Sequence, residues 1–402
     1  MIDNKGSGAD PSESASHDDS TEELVLMDPA LDPSDESSTT ATATTEIGAP
    51  PPCSQAMVDL QQLRAVLSSG SIVDSGGLYY PDRASVDQFL RLSGFDTDNS
   101  LDLQRLRELH LEAIAYLADI HSYRIPEDVQ YPTEIHQLFL LASKGSGRSR
   151  LMACMTLKTM HIMHHVNARQ LVFNTPISEA ELFSRINSRV FEVIDEIRAL
   201  GITVSEFTAG QKSRESITTK LLAKKEALAT QLFDRLRFRI VVESHQDLVP
   251  ALLYLLHNLV PYNYIVPGQS QNGLVSTEDL AKATGIPEAT IVSLWEGSEI
   301  TRSLGPGPTP LNEFSGRDFK CINFVAEIPL RIDDVAPGAP PAIAFTQAEI
   351  QLVDKETHKD NNAGENAHVL YKERQRRRVR QRIQGHHEEV LRQLRGAHKE
   401  LD

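Results

Sequence analysis

Leu236, Phe238, Ile240 and Val242 alternate with Arg235, Arg237 and Arg239, the period-two pattern of a strand with one apolar and one polar face. Residues 324–332 and 344–353 read as two more strands, and in the second Glu349 and Gln351 share one face while Ile350 and Leu352 take the other. The polar pair is therefore placed to line a cleft while the apolar pair anchors the sheet. Residues 247–259 form an apolar helical run with Pro250 tolerated in its first turn, and residues 262–266 a short strand after it. Strand, helix, strand in that order predicts an α+β domain, a mixed β-sheet flanked by helices.

Before residue 200 the period changes to three and four. Leu103, Leu106, Leu109, Leu111, Ile114 and Leu117 recur at helical spacing, as do Leu151, Met155, Leu157, Met160 and Met163, and then Leu182, Ile186, Val190, Val193 and Ile197. Ser178 with Glu181 reads as a capping box. The expectation is an all-helical domain over residues 56–200, ahead of a sheet domain over 201–375. His161 and His165 stand at i and i+4 there, with His164 between them, a spacing that suits a metal on a helix face. No acidic residue stands at the offset metal helices carry, so solvated histidines are the competing reading.

Composition adds the two ends. Residues 1–55 carry twelve acids against Lys5, about −11 of the formal −16, with too little apolar surface to offset the entropy of ordering, so a disordered acidic tail is expected. Residues 372–402 reverse the sign, with ten Lys or Arg against five Asp or Glu, and residues 376–402 read as a basic helix. Such an asymmetry fits a contact with RNA or the ribosome, and equally a solvated helix face. The longest apolar runs, such as residues 248–260, are too short to cross a membrane and contain Pro250 and His257. The first residues are acidic, unlike a secretory signal. Three separated cysteines, Cys53, Cys154 and Cys321, form no disulfide or metal framework, as expected of a cytoplasmic protein.

The chemistry gathers around the first strand. Asp234 heads it, in arginine-rich surroundings where a carboxylate either pairs with a cation or holds a metal against polyphosphate. Lys212, Arg214, Lys220, Lys224 and Lys225 put five cations into fourteen residues just upstream, a density suited to phosphate. In order along the chain stand K-x-x-x-S-I-x-x-K at 212–220, D-x-x-x-x-R-I at 234–240, E-I-Q at 349–351 and G-x-x-A-H-x-x-Y-K at 364–372.

These four motifs, in this order, resemble the synthetase domain of the RelA/SpoT family, over roughly residues 205–375. The resemblance implies a nucleotidyltransferase-like fold that transfers pyrophosphate from ATP to the 3′-hydroxyl of GDP or GTP with Mg²⁺. It makes Asp234 and Glu349 the catalytic and metal-binding carboxylates. Lys212, Arg214, Lys220 and Arg239 would hold phosphates, with Gln351 and His368 completing the site. Residues 316–324 resemble the family's G-Y-x-S-L strand, which puts Phe319 against the acceptor guanine with Lys320 beside it. Asn272-Gly273-Leu274-Val275-Ser276 is a rival placement without an aromatic. The family's hydrolase carries an adjacent His-Asp pair, and here that dipeptide occurs only as His17-Asp18, so no hydrolase is expected.

The chain departs from the family in three places. Residues 268–315 read as an insertion whose 277–295 segment has helix-turn-helix spacing but few basic side chains to read DNA. Val353-Asp354 stands where the family has Arg-Thr, and Asp318 where it has Gly. Two alternatives therefore stand beside the alarmone synthetase: a related enzyme that pyrophosphorylates another acceptor such as tRNA, and a degenerate nucleotide-binding regulator. Sequence leaves the acceptor and any homo-oligomer open.

Overall fold

A computed structural model of the chain describes residues 55–68, 71, 73, 78–174, 178–211, 215, 218–219, 222, 236–295, 319–333, 341–363, 370 and 372–382. All of them belong to the unit Pro52–Asp402. The expected acidic tail lies outside the described residues. Seven helices come first: α1 (Gln55–Leu67), α2 (Arg83–Leu92), α3 (Ser100–Ala115), α4 (Glu127–Gln130), α5 (Ile135–Lys144), α6 (Gly147–Asn174) and α7 (Glu179–Ala199). Then follow β1 (Val204–Gln211), β2 (Leu236–Val242), α8 (Leu248–Asn258), β3 (Ile265–Asn272), α9 (Thr277–Thr284), α10 (Glu288–Trp295), β4 (Ile322–Ile332), β5 (Ala342–Asp354) and α11 (Lys355–Asn361). No helix among the described residues is long and apolar enough to cross a membrane.

The five strands form one sheet in the order β1-β2-β5-β4-β3. β2 runs parallel to β5 and every other pairing is antiparallel, so the sheet is mixed and the fold α+β, as the alternation predicts. β5 is the central strand, and its two faces decide what each part of the molecule does. Ala348, Ile350 and Leu352 face a core shared with Phe238 and Ile240 of β2, Leu63 of α1, Ile194 of α7 and Leu252 of α8. On the opposite face, Ile343 joins the core of the helical region with Leu106, Leu138 and Leu157, and Phe345 packs against it. Further along that face come Gln347, Glu349 and Gln351.

The helical region thus divides between two cores. α1 and α7 complete the apolar layer of the sheet, while α2, α3, α5 and α6 form a core of their own that is closed by β5. Gly94 packs against Ile343: its φ is +91° and a Cβ there would lie 3.0 Å from Ile343 Cγ2, so a side chain would be strained in backbone and crowded against β5. A buried ion pair joins the same layers. Asp102 of α3 is fully buried, accepts from Arg331 Nη1 of β4 and from the backbone N of Asp96 (2.9 Å), and lies 3.8 Å from Arg105.

Two local expectations change. The strand expected at 262–266 begins with a 3₁₀ turn at Tyr262–Tyr264, and β3 then continues to Asn272, past the expected start of the 268–315 insertion. The helix-turn-helix-like segment forms α9 and α10, joined through Gly285 at φ +70°. Leu280, Ile291 and Trp295 bury into the sheet core, while Glu288, Ala289, Thr290 and Ser293 stay exposed. These two helices therefore complete the core and present no basic reading face. At α7, Ser178 Oγ accepts from the backbone N of Glu181 at 3.2 Å, but the Glu181 carboxylate accepts from Arg185 instead of closing a capping box.

Candidate functional site

On the face opposite the apolar core, β2 and β5 set four polar side chains side by side. The register pairs Arg237 with Glu349 and Arg239 with Gln351, and the side chains follow it. Arg237 donates to Glu349 Oε2 from Nε at 2.8 Å and from Nη2 at 2.7 Å. Arg239 donates through Nε and Nη2 to Gln351 Oε1 at 3.1 and 3.0 Å, and Gln351 Nε2 donates to Glu349 Oε1 at 3.1 Å. Partners 112 positions apart in sequence thus form one continuous row. Asn323 of β4, opposite Gln351, extends the polar face by one strand.

The two arginines are not equivalent. Arg237 is neutralised by a carboxylate, whereas the hydrogen-bond partner of Arg239 among the described residues is the neutral amide oxygen of Gln351. Burial first, and the neighbouring Arg237 second, lower the Arg239 pKa. Guanidinium stays charged through any such shift, so the row holds an under-compensated cation, the condition that favours a phosphate or another anion. Glu349 and Gln351 are 7 % and 8 % exposed, more enclosed than the open cleft that alternation alone suggests. Cys321, buried next to the row, has its thiol pushed up to about 12, by burial first and then by Glu349, which makes it inert as a nucleophile.

At the end of β4, both placements of the acceptor motif converge. Gly273 N donates to Cys321 O at 3.1 Å, and a Cβ on Gly273 would lie 3.5 Å from Lys320 Cα. Asn361 of α11 clamps the same segment, its Oδ1 accepting from Lys320 N at 3.1 Å and its Nδ2 donating to Lys320 O at 2.6 Å. Phe319 is half-buried and Lys320 exposed at this clamped stretch of backbone. Sequence reasoning passed over Asn361, whose role comes from the backbone of Lys320, 41 residues away and just ahead of β4. Asp354, the departure from Arg-Thr, is the N-cap of α11: its Oδ1 accepts from Thr357 N at 2.9 Å. A carboxylate at the N-cap satisfies an otherwise unpaired backbone N–H and suits the positive end of the helix dipole.

Asp234, Lys212, Arg214, Lys220 and His368 lie outside the described residues. Alternation puts Asp234 and Arg239 on opposite faces of a regular strand, and β2 keeps continuous register against β5 from Leu236 to Val242, with no bulge among these described residues. A Mg²⁺ ion takes oxygen ligands, often one or two carboxylates with phosphate and water, and Glu349 supplies one hard donor of that kind with Arg237 beside it to balance charge. Among the described residues no group of three or more His, Cys, Asp or Glu side chains is arranged to hold a metal ion.

The α6 histidines are neither solvated on a helix face nor gathered around a centre. His164 Nδ1 lies 2.6 Å from Tyr264 Oη, Asn263 Nδ2 donates to His161 Nδ1 at 3.0 Å, and His165 Nε2 lies 2.8 Å from Glu327 Oε2. Glu327 also accepts from Gln347 at 2.7 Å, so this network occupies the same sheet face as Glu349, nearer the helical core. Burial holds His161 at about 4 and His164 at about 3; both are neutral at neutral pH. The basic C-terminal segment is helical over 372–382, with Gln375 buried and Arg376, Arg377 and Arg380 exposed.

An α+β protein with an arginine-backed carboxylate and amide row on a mixed sheet is what fold and site define together. No family model matches the chain and no curated protein sequence matches it. Solved structures similar to it include small alarmone synthetase 1 from Bacillus subtilis bound to its product pppGpp, at 11% identity and TM-score 0.29, covering 54% of this chain and 93% of that one. Small alarmone synthetase 2 from Bacillus subtilis follows at 13% and 0.25, covering 61% and 98%. A GTP pyrophosphokinase family protein from Streptococcus pneumoniae gives 15% and 0.27, covering 55% and 91%. At such TM-scores the likeness assigns no role to any residue.

Proposed function

We propose that the protein is an alarmone synthetase-like pyrophosphokinase that moves pyrophosphate from ATP to the 3′-hydroxyl of GDP or GTP. The observation that supports this reading is the row itself: Arg239 of the D-x-x-x-x-R-I motif meets Gln351, and through it Glu349, of the E-I-Q motif. Two motifs that the sequence separates widely are neighbours on one polar face. In the reaction the 3′-oxygen bonds to the β-phosphorus of ATP, the bond from that phosphorus to the α,β-bridging oxygen breaks, and AMP leaves.

Each residue then has a task. Glu349 takes the proton of the 3′-hydroxyl, held at its position by Arg237 and Gln351. Arg239, released from its neutral partner, receives phosphate oxygens, together with Lys212, Arg214 and Lys220. Asp234 and Glu349 would hold Mg²⁺, which when bound supplies charge neutralisation to the β,γ-phosphates. Incubating the purified protein with labelled ATP and GDP, GTP or tRNA, with and without EDTA, tests the assignment by chromatography of the products. Label transferred to GDP or GTP, and lost with EDTA, is the expected result. Label on tRNA alone would move the activity to the other acceptor, and nucleotide binding without transfer would mark a regulator.

The acceptor side carries its own prediction. Phe319 is half-buried on a clamped backbone, and stacking a base on such a ring contributes roughly 1–3 kcal/mol. Phe319→Ala should raise the acceptor KM about ten- to a hundredfold with little change in the KM for ATP. A lowered melting temperature without a selective acceptor defect would make the ring part of the core instead.

A further inference from the structure

The core of the helical region encloses a cavity that pyrophosphate transfer does not use. It lies between α2, α3, α5 and α6 and is bounded by Tyr262, Asn263 and Tyr264 at the start of β3; Phe95, Leu106, Phe139 and Leu157 give it apolar walls. Its volume is about 60 Å³, several times the ~10–15 Å³ that one water needs, so it admits a molecule larger than a single water.

Three buried polar atoms of the lining have no hydrogen-bond partner: Ser93 Oγ, His164 Nε2 and Asn263 Oδ1. Their residues are 3 %, 5 % and 8 % exposed. Two of these side chains are anchored by the opposite end, His164 through Nδ1 to Tyr264 Oη and Asn263 through Nδ2 to His161. Buried polar groups are ordinarily paired, and a mostly apolar pocket with a few unpaired polar atoms is how small-molecule sites are built. A second hollow, lined by Arg105, Glu108, Glu112 and Asn167, shares Leu109 and His164 with the cavity and marks a polar approach between α3 and α6.

We propose that this cavity is a binding site for a small neutral molecule of single-ring size bearing a hydroxyl group. Asn263 Oδ1 accepts only, so the ligand must donate, and a hydroxyl donates to it while accepting from Ser93 Oγ, or from His164 Nε2 in the tautomer whose Nδ1 accepts from Tyr264 Oη. Neutrality follows from the lining, in which Lys158 is the one Lys, Arg, Asp or Glu side chain, and its Nζ already donates to Val73 O at 2.7 Å. An ion would enter without a counter-charge. Both histidines facing the cavity are neutral as well.

Phenol, benzene and benzoate, titrated separately into the full-length protein, distinguish the alternatives. Phenol should shift the His164 ring signals in NMR spectra saturably and raise Tm. Benzoate should do neither, and benzene should bind more weakly than phenol. Asn263→Leu, of similar volume, should weaken phenol about tenfold and leave benzene unaffected. If Asn263→Leu does not fold, Ser93→Ala with the same two probes reads the same preference. Benzene binding as tightly as phenol in the unaltered protein overturns the hydroxyl requirement. Absence of a saturable shift with every probe overturns the site and leaves the cavity to water. Each outcome is independent of whether pyrophosphate is transferred.

Discussion

Glu349→Gln should lower the rate of pyrophosphate transfer by about 10²–10⁴-fold, the range contributed by a positioned general base, while the protein stays folded. The substitution keeps the size and one acceptor oxygen of the side chain but removes the basicity that a 3′-hydroxyl needs. Its structural cost is small for a defined reason. The Arg237 side chain is 33% exposed, so losing its partner leaves a guanidinium that water can reach, and a partly solvated pair contributes about 1 kcal/mol or less. Single-turnover transfer rates and thermal unfolding of the same preparation separate the two effects. A rate within about threefold of the unaltered protein, with unchanged Tm, would remove Glu349 from the chemistry and leave it a structural partner of Arg237.

What was legible in sequence follows from the range of the interaction that sets each feature. β2 and β5 were readable because a strand's faces alternate locally, and the same rule put Glu349 and Gln351 together. Their pairing with Arg237 and Arg239 was not, since parallel register is set by long-range packing; alternation placed the arginines on one face and stopped there. β3 runs on past 266 because at the sheet edge the missing donor of Pro267 and the φ of +74° at Gly268 are tolerated. Helical periodicity could not show that α1 and α7 serve the sheet while α2 to α6 pack elsewhere, because amphipathic helices carry no mark of their partner. The α6 histidines were misread for a related reason: i and i+4 spacing speaks of one helix, while their partners Asn263, Tyr264 and Glu327 come from other elements.

One face of β5 carries both the polar row and the contact with the helical core. Ile343 and Phe345 lie under the helices, Gln347 pairs with Glu327, and Glu349 and Gln351 follow two and four residues later. The helical region is therefore packed on the strand that presents the site. α8, α9 and α10 hold the other face, so β5 is gripped from both sides, which would fix Glu349 in place for the role proposed for it.

Asp102→Ala should cost about 3–5 kcal/mol of stability, the range for removing one partner of a buried ion pair. Asp102 is 0% exposed, accepts from Arg331 of β4 and from the backbone N of Asp96, and lies 3.8 Å from Arg105 of its own helix. Alanine would leave two arginines, with side chains 22% and 24% exposed, facing each other without the carboxylate that holds them. It would also orphan the Asp96 amide at the turn before α3. For a protein of this size the loss corresponds to a fall in Tm of roughly 10 °C. The charge argument is separable from simple loss of packing. Asp102→Leu combined with Arg331→Met replaces the pair by apolar side chains and should recover much of the stability that Asp102→Leu alone loses. A double variant as unstable as the sum of the two single ones would show that Asp102 acts through the Asp96 turn, and that the ion pair does not hold α3 to β4.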